Sequence, residues 1–304
     1  MDIDGQLRNK LKEATEKNKA DGILLSGGLD SSVLAFIARP SLGFTVALKN
    51  SHAADLSYSE KLSRFLRIQC MTTEFTVEEA LNALPEVIGI LKTFDLALPN
   101  DLSIYFALKL ARENGISSVM TGDGGDELFA GYSYMTELPL KDLERYIWRL
   151  SDYWCFSGNI LGEALGVEVK QPFLDEAFVR FALEISPEFK VKQGVGKYIL
   201  RKSFENIIPQ EIVWREKEPI ECGSGSSELH GLITNMVSDE EFRLAAKEAD
   251  VKFINKEHFY YYRIYSDVIG EIPRARDDEI KCPCCGAAMG MYHCRTCGFA
   301  RSLL

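Results

Sequence analysis

Two glycine-rich turns carry side chains that could bind phosphate and a metal ion. The first is SGGLDSS, residues 26–32, which follows the apolar run DGILL and precedes a segment with helical spacing. Backbone N–H groups of such a turn, together with the positive end of the following helix, form an anion site, to which Ser26, Ser31 and Ser32 add hydroxyl donors. Asp30 would repel phosphate directly, so it makes sense as a ligand of phosphate-bound Mg²⁺. The alternative is a plain helix N-cap in a tight turn.

The second turn is TGDGGDE, residues 121–127, which follows the apolar run SSVMT. It places Asp123, Asp126 and Glu127 within five residues. Unpaired carboxylates at this spacing repel each other, and a divalent cation with a polyphosphate removes that cost. The alternative is an acidic turn on the surface.

A cluster of four cysteines has the spacing of a zinc site. Cys282 and Cys285 form one C-x-x-C pair, Cys294 and Cys297 form another, and a glycine follows each pair. This pattern is typical of a tetrahedral four-cysteine Zn²⁺ centre, whose closed ligand shell makes the metal structural. A segment of about 25 residues has too small a core to fold alone, so the metal would supply folding free energy. The alternatives are a disulfide pair or a redox dithiol.

Two further residues of this segment are interpreted as residues that do not bind zinc. Cys284, inside the first pair, is interpreted as a non-ligand that could exchange with a neighbour, and His293 as a hairpin residue. Five of the eight cysteines lie between positions 282 and 297. Such clustering indicates a metal site in a reducing compartment rather than a disulfide framework.

The elements that must position these residues alternate between helix and strand. Helical spacing is found at 5–20, 55–66, 77–91 and 101–114, and short apolar runs at 21–25, 44–48, 70–75 and 117–121. This alternation predicts a parallel sheet with right-handed crossovers. Ligands of such sheets bind beyond the carboxyl ends of the strands, where both glycine turns lie. Residues 137–250 are predicted to be mostly helical, and 271–279 to form a polar linker.

Length and composition are those of a globular protein. The chain has 304 residues, of which 46% are apolar and 26% charged, both ordinary values. No apolar run reaches the roughly 18 residues that cross a bilayer. The N-terminal segment lacks the apolar stretch of a signal peptide. We therefore expect a cytoplasmic protein without a membrane partner.

The charge is unevenly spread along the chain. The formal net charge is −10, which disfavours general binding to nucleic acids. Residues 251–304 nevertheless contain 8 Lys or Arg and 6 Asp or Glu. This C-terminal part is the only one that would not repel a polyanion.

The ordered motifs resemble those of one enzyme family. The first turn lacks the Walker signature G-x-x-x-x-G-K-[ST] and resembles the PP-loop of ATP pyrophosphatases, which cleave ATP between the α and β phosphates. With the second turn and three later motifs, the chain resembles the synthetase domain of the asparagine synthetase family. These motifs are GVEVKQPFLD at 166–175, GKYILR at 196–201 and PQEIVWREK at 209–217. The resemblance covers about residues 15–225.

The resemblance implies an α/β fold with a parallel-sheet PP-loop domain, and it implies roles for individual residues. The residues implied to bind ATP are Ser26, Gly27, Gly28, Asp30 and Ser31 at the pyrophosphate end, Leu24, Val46 and Gly122 at the adenosine, and in addition Thr121. Asp30 and Asp126 would hold Mg²⁺. Lys197 would reach the α-phosphate and stabilise charge that develops there; without its motif it would be a solvated helix lysine. Asp123 takes the place of a longer family glutamate proposed to handle a proton of the attacking amine.

Two departures from the family pattern affect the expected reaction. Full asparagine synthetases begin with a glutaminase domain whose nucleophile is an N-terminal cysteine, whereas here Asp2 follows Met1. We expect no glutamine hydrolysis, so nitrogen would arrive as free ammonia, as a substrate amine, or from a separate ammonia-supplying glutaminase. Lys170 replaces the family's arginine, and the two cations bind carboxylates with different geometry. The acceptor substrate is therefore left open.

The sequence thus predicts three parts. These are a PP-loop ATP pyrophosphatase domain at 1–225, a helical extension and linker at 226–278, and a four-cysteine zinc ribbon at 279–304. The zinc ligands begin about 65 residues beyond the last family motif. Removal of the ribbon is therefore expected to leave pyrophosphate formation from a small acid intact.

The expected function is ATP-dependent, AMP-forming amide synthesis. A small carboxylate would attack the α-phosphate of ATP, and a nitrogen nucleophile would then displace AMP. Aspartate plus ammonia giving asparagine is the simplest case, which would make the protein a carbon–nitrogen ligase of asparagine biosynthesis. The alternatives are an RNA-modifying PP-loop enzyme for tRNA thiolation or amidation, with a carrier or RNA bound through the ribbon, and a non-catalytic scaffold that binds a partner.

Overall fold

A computed structural model describes residues 2–151 and 154–301 of the chain. At its centre lies a five-stranded sheet in which every neighbouring pair of strands is parallel, with strand order β3-β2-β1-β4-β5. The strands are β1 Gly22–Leu24, β2 Leu42–Leu48, β3 Gln69–Phe75, β4 Ser118–Met120 and β5 Glu168–Lys170.

Helices cover both faces of this sheet and form most of the chain after β4. Within the described ranges they are α1 Ile3–Lys17, α2 Leu29–Ala38, α3 Ala54–Leu66, α4 Val77–Leu91, α5 Leu98–Glu113, α6 Gly125–Phe129, α7 Ser133–Thr136, α8 Leu140–Leu150, α9 Ser157–Leu165, α10 Glu176–Glu184, α11 Pro187–Lys190, α12 Tyr198–Phe204, α13 Gln210–Val213, α14 Ile220–Gly223, α15 Glu228–Asn235, α16 Asp239–Glu248 and α17 Lys256–Val268. A 3₁₀ turn, Pro172–Leu174, follows β5. None of the helices in the described part of the chain is long and apolar enough to cross a membrane.

The predicted α/β fold is confirmed, and one strand was missed. The four predicted strands and the helices between them are present, including α4 over the predicted residues 77–91. Residues 168–170 form a fifth strand, although 137–250 was predicted to be mostly helical. The Glu168 N–H donates to the Ser117 carbonyl at 2.8 Å, and the Thr121 N–H donates to the Lys170 carbonyl at 2.9 Å. A three-residue edge strand depends on this pairing with β4 and has too little local pattern to be recognised.

The strand order produces a switch point between β1 and β4. From β1 the chain moves outward through β2 to β3, and then returns to add β4 and β5 on the other side. Both glycine turns, 26–32 and 121–127, follow the two strands that flank this point. In open parallel sheets the crevice at such a point is the usual place for a ligand.

Two apolar cores hold the layers together. On one face Leu84 of α4, Leu102 of α5 and Tyr261 of α17 are fully buried in one cluster. On the other face Leu7 of α1 and the helices α2 and α12 form a second cluster. Since β2 is buried on both sides, it shows the near-continuous apolar run expected of a central parallel strand.

Candidate active site

The turn at residues 26–32 links β1 to α2 and is held closed by its own serines. Ser26 Oγ accepts a hydrogen bond from the Gly28 N–H at 3.2 Å and lies 3.2 Å from Ser31 Oγ. Ser32 is fully buried, and its hydroxyl donates to the Gly28 carbonyl at 2.6 Å. Ser31 Oγ also donates to the Gly28 carbonyl, at 3.2 Å, so both hydroxyls help to close the first turn of α2. Their role as phosphate donors stays a prediction.

Gly27 is required by the close approach of α3. Its φ is +68°, and a Cβ at this position would lie 2.5 Å from the backbone carbonyl carbon of Tyr58. A side chain would be strained by this backbone conformation and would also collide with α3. The second glycine of the motif, Gly28, acts as the N-cap of α2 in extended conformation.

Asp30 lies against the second glycine turn, and two glycines make room for it. A Cβ on Gly122 would lie 2.8 Å from Asp30 Cβ, and a Cβ on Gly125 would lie 2.5 Å from Asp30 Oδ1. Gly124 has φ +92° and turns the chain between them. The glycines of GDGGD thus let the two turns touch, which brings Asp30 next to Asp126.

Lys197 lies between these two carboxylates. Its Nζ is 2.5 Å from Asp30 Oδ2 and 2.7 Å from Asp126 Oδ1, and its side chain is 3% exposed. Lys217 Nζ lies 3.1 Å from the other oxygen of Asp126. Two aspartates and two lysines therefore converge at the switch point, and their formal charges cancel.

The backbone at Lys197 is unusual and tightly packed. Its φ is +54°, in the left-handed region that side chains other than glycine rarely adopt, and its N–H donates to the Phe129 carbonyl at 2.8 Å. Side chains on the neighbouring Gly131 or Gly196 would collide with this arrangement. Strain held by surrounding contacts is typical of functional positions.

The electrostatics of the cluster favour a charged lysine. Burial alone would lower the pKa of Lys197, but Asp126 and Asp30 outweigh it and raise the pKa above its ordinary value. Burial would raise the pKa of Asp126, yet Lys197 and Lys217 hold it below its usual range. For Asp30 burial prevails, and the pKa is raised. Lys197 is therefore a fixed positive charge at neutral pH.

The residues fit a magnesium ion. Asp30 Oδ1 is buried and has no hydrogen-bond partner among the described residues. Asp30 and Asp126 both contact Lys197, so their carboxylates converge on one point. Carboxylate oxygens next to bound phosphates are the ligands that Mg²⁺ prefers. Their assignment as its ligands stays a prediction.

Asp123 lies in the second glycine turn, and two hydrogen bonds fix its carboxylate. Its Oδ2 accepts hydrogen bonds from Thr121 Oγ1 at 2.7 Å and Gln171 Nε2 at 2.8 Å. A Cβ on Gly158, in the first turn of α9, would lie 3.8 Å from the same oxygen. Burial raises the pKa of Asp123, although both hydrogen bonds lower it. A carboxyl with a raised pKa and fixed orientation is suited to accept a proton.

The other four residues implied to bind ATP are found at the carboxyl ends of three neighbouring strands. Leu24 ends β1, and Val46 lies near the end of β2. Thr121 and Gly122 directly follow β4. The sheet thus brings them together at the edge that carries Asp30. Their contact with a nucleotide stays a prediction.

Arg215 is a site residue that sequence reasoning missed. Its Nη1 donates to the Ser26 carbonyl at 3.0 Å, and its Nη2 lies 2.8 Å from Asp55 Oδ1. The guanidinium carbon also lies 4.1 Å from the centre of the Tyr58 ring. This arginine therefore fixes the first turn against α3. The motif PQEIVWREK could have indicated this role, because its R-x-K contains both Arg215 and Lys217.

A tyrosine cluster next to the site was also missed. Tyr132 donates to Glu127 Oε1 at 2.6 Å, and its ring stacks on Tyr134 with centroids 5.7 Å apart. Tyr134 and Tyr146 hydroxyls lie 2.9 Å apart. Glu127, the third carboxylate of the acidic turn, is thus bound by a tyrosine and not aimed at Lys197.

Lys170 forms an ion pair within its own strand. Its Nζ lies 2.5 Å from Glu168 Oε1, two residues earlier on the edge strand. The neighbouring Gln171 is the residue of this motif that bonds Asp123. Gln171 is therefore a second side chain to consider for acceptor choice, beside Lys170.

Comparison with known proteins gives the same family as the motifs. A family model described as Asparagine synthase matches residues 2–161 and 148–261, which together exceed half of the chain. The chain belongs to the asparagine synthase family. A "Probable asparagine synthetase [glutamine-hydrolyzing]" of Dictyostelium discoideum is 34% identical over 289 residues, covering 81% of this chain and 51% of the relative. "Asparagine synthetase B [glutamine-hydrolyzing]" of Escherichia coli K12 is 30% identical, covering 89% and 55%. The chain therefore spans about half the length of these curated relatives.

Two solved structures resemble this member of the asparagine synthase family more distantly. The NMN synthetase from Francisella tularensis covers 90% of this chain and 97% of its own, with 17% identity and a TM-score of 0.38. The U34-tRNA thiolase NcsA from Methanococcus maripaludis covers 95% and 84%, with 14% identity and a TM-score of 0.36.

The four predicted zinc ligands meet beyond the part matched to the asparagine synthase family. Cys282 Sγ lies 3.6 Å from Cys297 Sγ, and Cys285 Sγ lies 3.7 Å from Cys294 Sγ, all four being buried. Four sulfurs about 2.3 Å from a zinc ion would form a tetrahedron with edges of about 3.8 Å. The cluster therefore fits a closed Zn²⁺ shell. Cys284 is not one of the four.

The ribbon shares a core with the synthase-like body. Cys282, Ala287 and Met289 are buried in the same apolar cluster as Phe44 of β2 and Leu98 of α5. Hydrogen bonds join its backbone to three other segments: the Lys252 N–H donates to Cys284, the Ala275 N–H to Gly286, and the Phe94 N–H to Thr296. The cysteine segment contains two C-x-x-C-G turns, 282–286 and 294–298, which we call the first and second knuckle. Both knuckles are thus packed on the body.

Proposed function

We propose that the protein forms an amide in two steps from a carboxylate, ATP and a nitrogen nucleophile. A carboxylate oxygen attacks the α-phosphorus, the bond to the β-phosphate bridge breaks, and pyrophosphate leaves. The nitrogen then attacks the acyl carbon, AMP leaves, and the nitrogen loses a proton. The observation that carries this proposal is the convergence of Lys197, Asp30 and Asp126 at the switch point between the two glycine turns.

Each residue has a distinct task in this proposal. The turn at 26–32 holds the pyrophosphate end of ATP with its N–H groups and the start of α2. Lys197, charged and fixed, approaches the α-phosphate and stabilises negative charge as the bond breaks. Asp30 and Asp126 would hold Mg²⁺, which neutralises the leaving pyrophosphate when bound. Asp123 takes up the proton of the attacking nitrogen.

The nitrogen source and the acceptor define the simplest version of the reaction. Aspartate and free ammonia would yield asparagine, in keeping with the names of the curated relatives. A substrate amine or ammonia from a separate glutaminase would serve the same chemistry. Lys170, in place of the family arginine, supports an acceptor that differs from aspartate.

The decisive experiment measures which products depend on which substrate. The protein is incubated with Mg²⁺, α-labelled ATP, ammonium and a panel of small acids, beginning with aspartate. Acid-dependent AMP and pyrophosphate in equal amounts are expected. ADP as the main labelled product would refute the proposal, and AMP formation that requires added tRNA instead of an acid would favour the RNA-modifying alternative.

The division of labour along the chain follows from this assignment. The groups proposed for the chemistry lie between Leu24 and Lys217, which supports a catalytic unit at 1–225. Residues 226–278 would brace that unit, and 279–304 would hold zinc. The eight cysteines include no disulfide among the described residues, and a zinc-binding thiolate cluster needs reducing conditions. We therefore propose a cytoplasmic location.

A further inference from the structure

The second cysteine knuckle is hydrogen-bonded to the segment that leads into α5. The Thr296 carbonyl accepts from the Phe94 N–H at 2.8 Å and from Thr93 Oγ1 at 3.3 Å. His293 Nε2 lies 3.2 Å from Asp95 Oδ2. Since Thr296 lies between two of the four cysteine ligands, its position depends on the closure of the knuckle.

Asp95 contacts both the ribbon and the start of α5. Its Oδ1 accepts from the Ala97 N–H at 3.1 Å, and its backbone carbonyl accepts from the Leu98 N–H at 3.3 Å. A side chain on Gly298 of the ribbon would collide with the Asp95 carboxylate. The start of α5 is therefore fixed from the ribbon side by direct contact.

Buried serines connect the same helical turn to the GSGSS segment, residues 223–227. The Pro99 carbonyl accepts from Ser226 Oγ at 2.8 Å and from Ser103 Oγ at 3.3 Å. Ser103 Oγ also lies 2.9 Å from Ser224 Oγ. All three serines are at most 2% exposed, so water does not compete for these hydrogen bonds.

The last link reaches the nucleotide edge of the sheet. The Ser224 carbonyl accepts from the N–H of Leu48 at 2.9 Å. Leu48 is the final residue of β2, two positions beyond Val46, which is implied to contact adenosine. An unbroken series of short contacts thus runs from the zinc knuckle to the strand end that would border the nucleotide.

We propose that zinc bound by the four cysteines sets the affinity of the nucleotide site through this series. Asp95 and Ser226 act as positioning residues for β2, and neither is assigned a contact with ATP. Without zinc, four thiol groups at this separation lose their common ligand, and the knuckle that presents Thr296 opens. This inference rests on the proposed function, because it assumes that ATP binds at the edge formed by β1, β2 and β4.

The first experiment compares zinc-loaded protein with protein freed of zinc by a chelator under reducing conditions. Mg·ATP binding is measured by titration calorimetry, with circular dichroism as the check on folding. Coupling energies between sites commonly change affinity by about 5- to 150-fold, and we expect a Kd at least about tenfold higher without zinc. An unchanged Kd in folded, zinc-free protein would overturn the proposal.

A second experiment leaves the zinc site untouched, because zinc-free protein that unfolds would not answer the question. Ser226→Ala removes the hydrogen bond to Pro99 and should raise the Kd for Mg·ATP by about tenfold, with one zinc still bound. Ser227→Ala is the matched control, since its hydroxyl has no hydrogen-bond partner among the described residues. Equal Kd values in the two variants would contradict the proposed role of Ser226.

Linkage supplies an independent measurement. If zinc tightens ATP binding, ATP must tighten zinc binding by the same factor. Competition with a coloured zinc chelator should therefore show higher zinc affinity in saturating Mg·ATP. No effect of Mg·ATP on zinc affinity, in protein that binds Mg·ATP, would refute the coupling alone. Protein that binds no Mg·ATP when fully loaded with zinc would instead refute the proposed function.

Discussion

Lys197 Nζ lies 2.5 Å from Asp30 Oδ2, although 167 residues separate the two in the chain. This pair joins the first glycine turn to the left-handed residue before α12. Asp126 is the second partner of the lysine, so the ammonium neutralises two carboxylates that would otherwise repel each other. On binding of Mg·ATP we expect the carboxylates to turn to the metal and the lysine to the α-phosphate.

Replacement of Lys197 tests the charge that the reaction requires. Lys197→Ala should lower kcat by about 10²- to 10³-fold, the usual cost of losing one preorganised group at a developing negative charge. Steady-state release of pyrophosphate measures this. Lys202→Ala, in the helix α12 that Lys197 precedes and with a partly exposed side chain, is the control and should stay near the wild-type rate. A loss of tenfold or less in folded Lys197→Ala would return the lysine to a structural role.

Replacement of Asp126 tests the metal assignment. Asp126→Asn keeps the size of the side chain but removes a charged ligand, so turnover should fall and need much higher Mg²⁺ to recover. Titration of the rate with Mg²⁺ at fixed ATP gives the result. Asp142→Asn, on the exposed side of α8, should leave the Mg²⁺ dependence unaltered. Asp126→Asn with a wild-type Mg²⁺ curve would exclude this carboxylate as a ligand.

Arg215 should contribute to the stability of the fold through its ion pair with Asp55. Arg215→Ala leaves the buried Asp55 without its partner, and breaking a buried ion pair on one side costs about 3–5 kcal/mol of unfolding free energy. Urea unfolding measures this. Adding Asp55→Asn should recover part of the loss, because no unpaired charge is then buried. If the double variant is no more stable than Arg215→Ala, the loss comes from packing on Tyr58 instead.

Asp101 should make the protein less stable as pH rises. Burial raises the pKa of this carboxyl to about 7, with Asp95 and Glu221 adding to the rise and a hydrogen bond from Ser157 opposing it. Because the unfolded chain loses this proton near pH 4 and the folded one near pH 7, the folded state binds more protons between them. This contribution to stability is therefore present below about pH 4 and lost as pH rises to 7.

The measurement for Asp101 is urea unfolding at pH 5 and pH 8. Asp101→Asn should remove this part of the pH dependence, so that the difference between the two pH values shrinks relative to wild type. Asp278→Asn, whose side chain is 80% exposed, should leave the difference as it is. An equal pH dependence in wild type and Asp101→Asn would show that Asp101 titrates normally.

The cysteine ligands can be separated from the fifth thiol of the ribbon. Cys282→Ser and Cys297→Ser should each lose the bound zinc, whereas Cys284→Ser should keep one zinc per chain because Cys284 lies outside the tetrahedral cluster. Metal analysis of protein purified under reducing conditions checks this. Zinc lost from Cys284→Ser, or absent from wild type, would contradict the assignment.

The sequence predicted the site residues that lie in local motifs, but not those whose role depends on contacts between distant parts of the chain. Both glycine turns lie where the strand pattern predicted, since parallel strands bring their carboxyl ends to one edge. The role of Arg215 depends on Ser26, 189 residues earlier in the chain, and no local periodicity encodes that contact. Strand β5 was not predicted for a similar reason, because its three residues become a strand only through pairing with β4.

The ribbon shows the same limit. Cysteine spacing predicted the four-thiol cluster, which the structure confirms as a juxtaposition. The expectation that residues 279–304 are dispensable for pyrophosphate formation came from the closed shell of a structural zinc site and from linear distance. In three dimensions the knuckles touch Asp95 and bury part of the face that covers β2. We now expect their removal to impair ATP binding.

The shared core of ribbon and body has a consequence for how the chain is made. Phe44 belongs to a cluster that also contains Cys282 and Met289, so one face of the sheet is closed by residues that leave the ribosome long after its strands. The nascent chain therefore carries an uncovered apolar face until the cysteine segment has been synthesised. A shortage of zinc at that moment would prolong the exposure and direct new chains towards chaperones or degradation, before any enzyme activity is at issue.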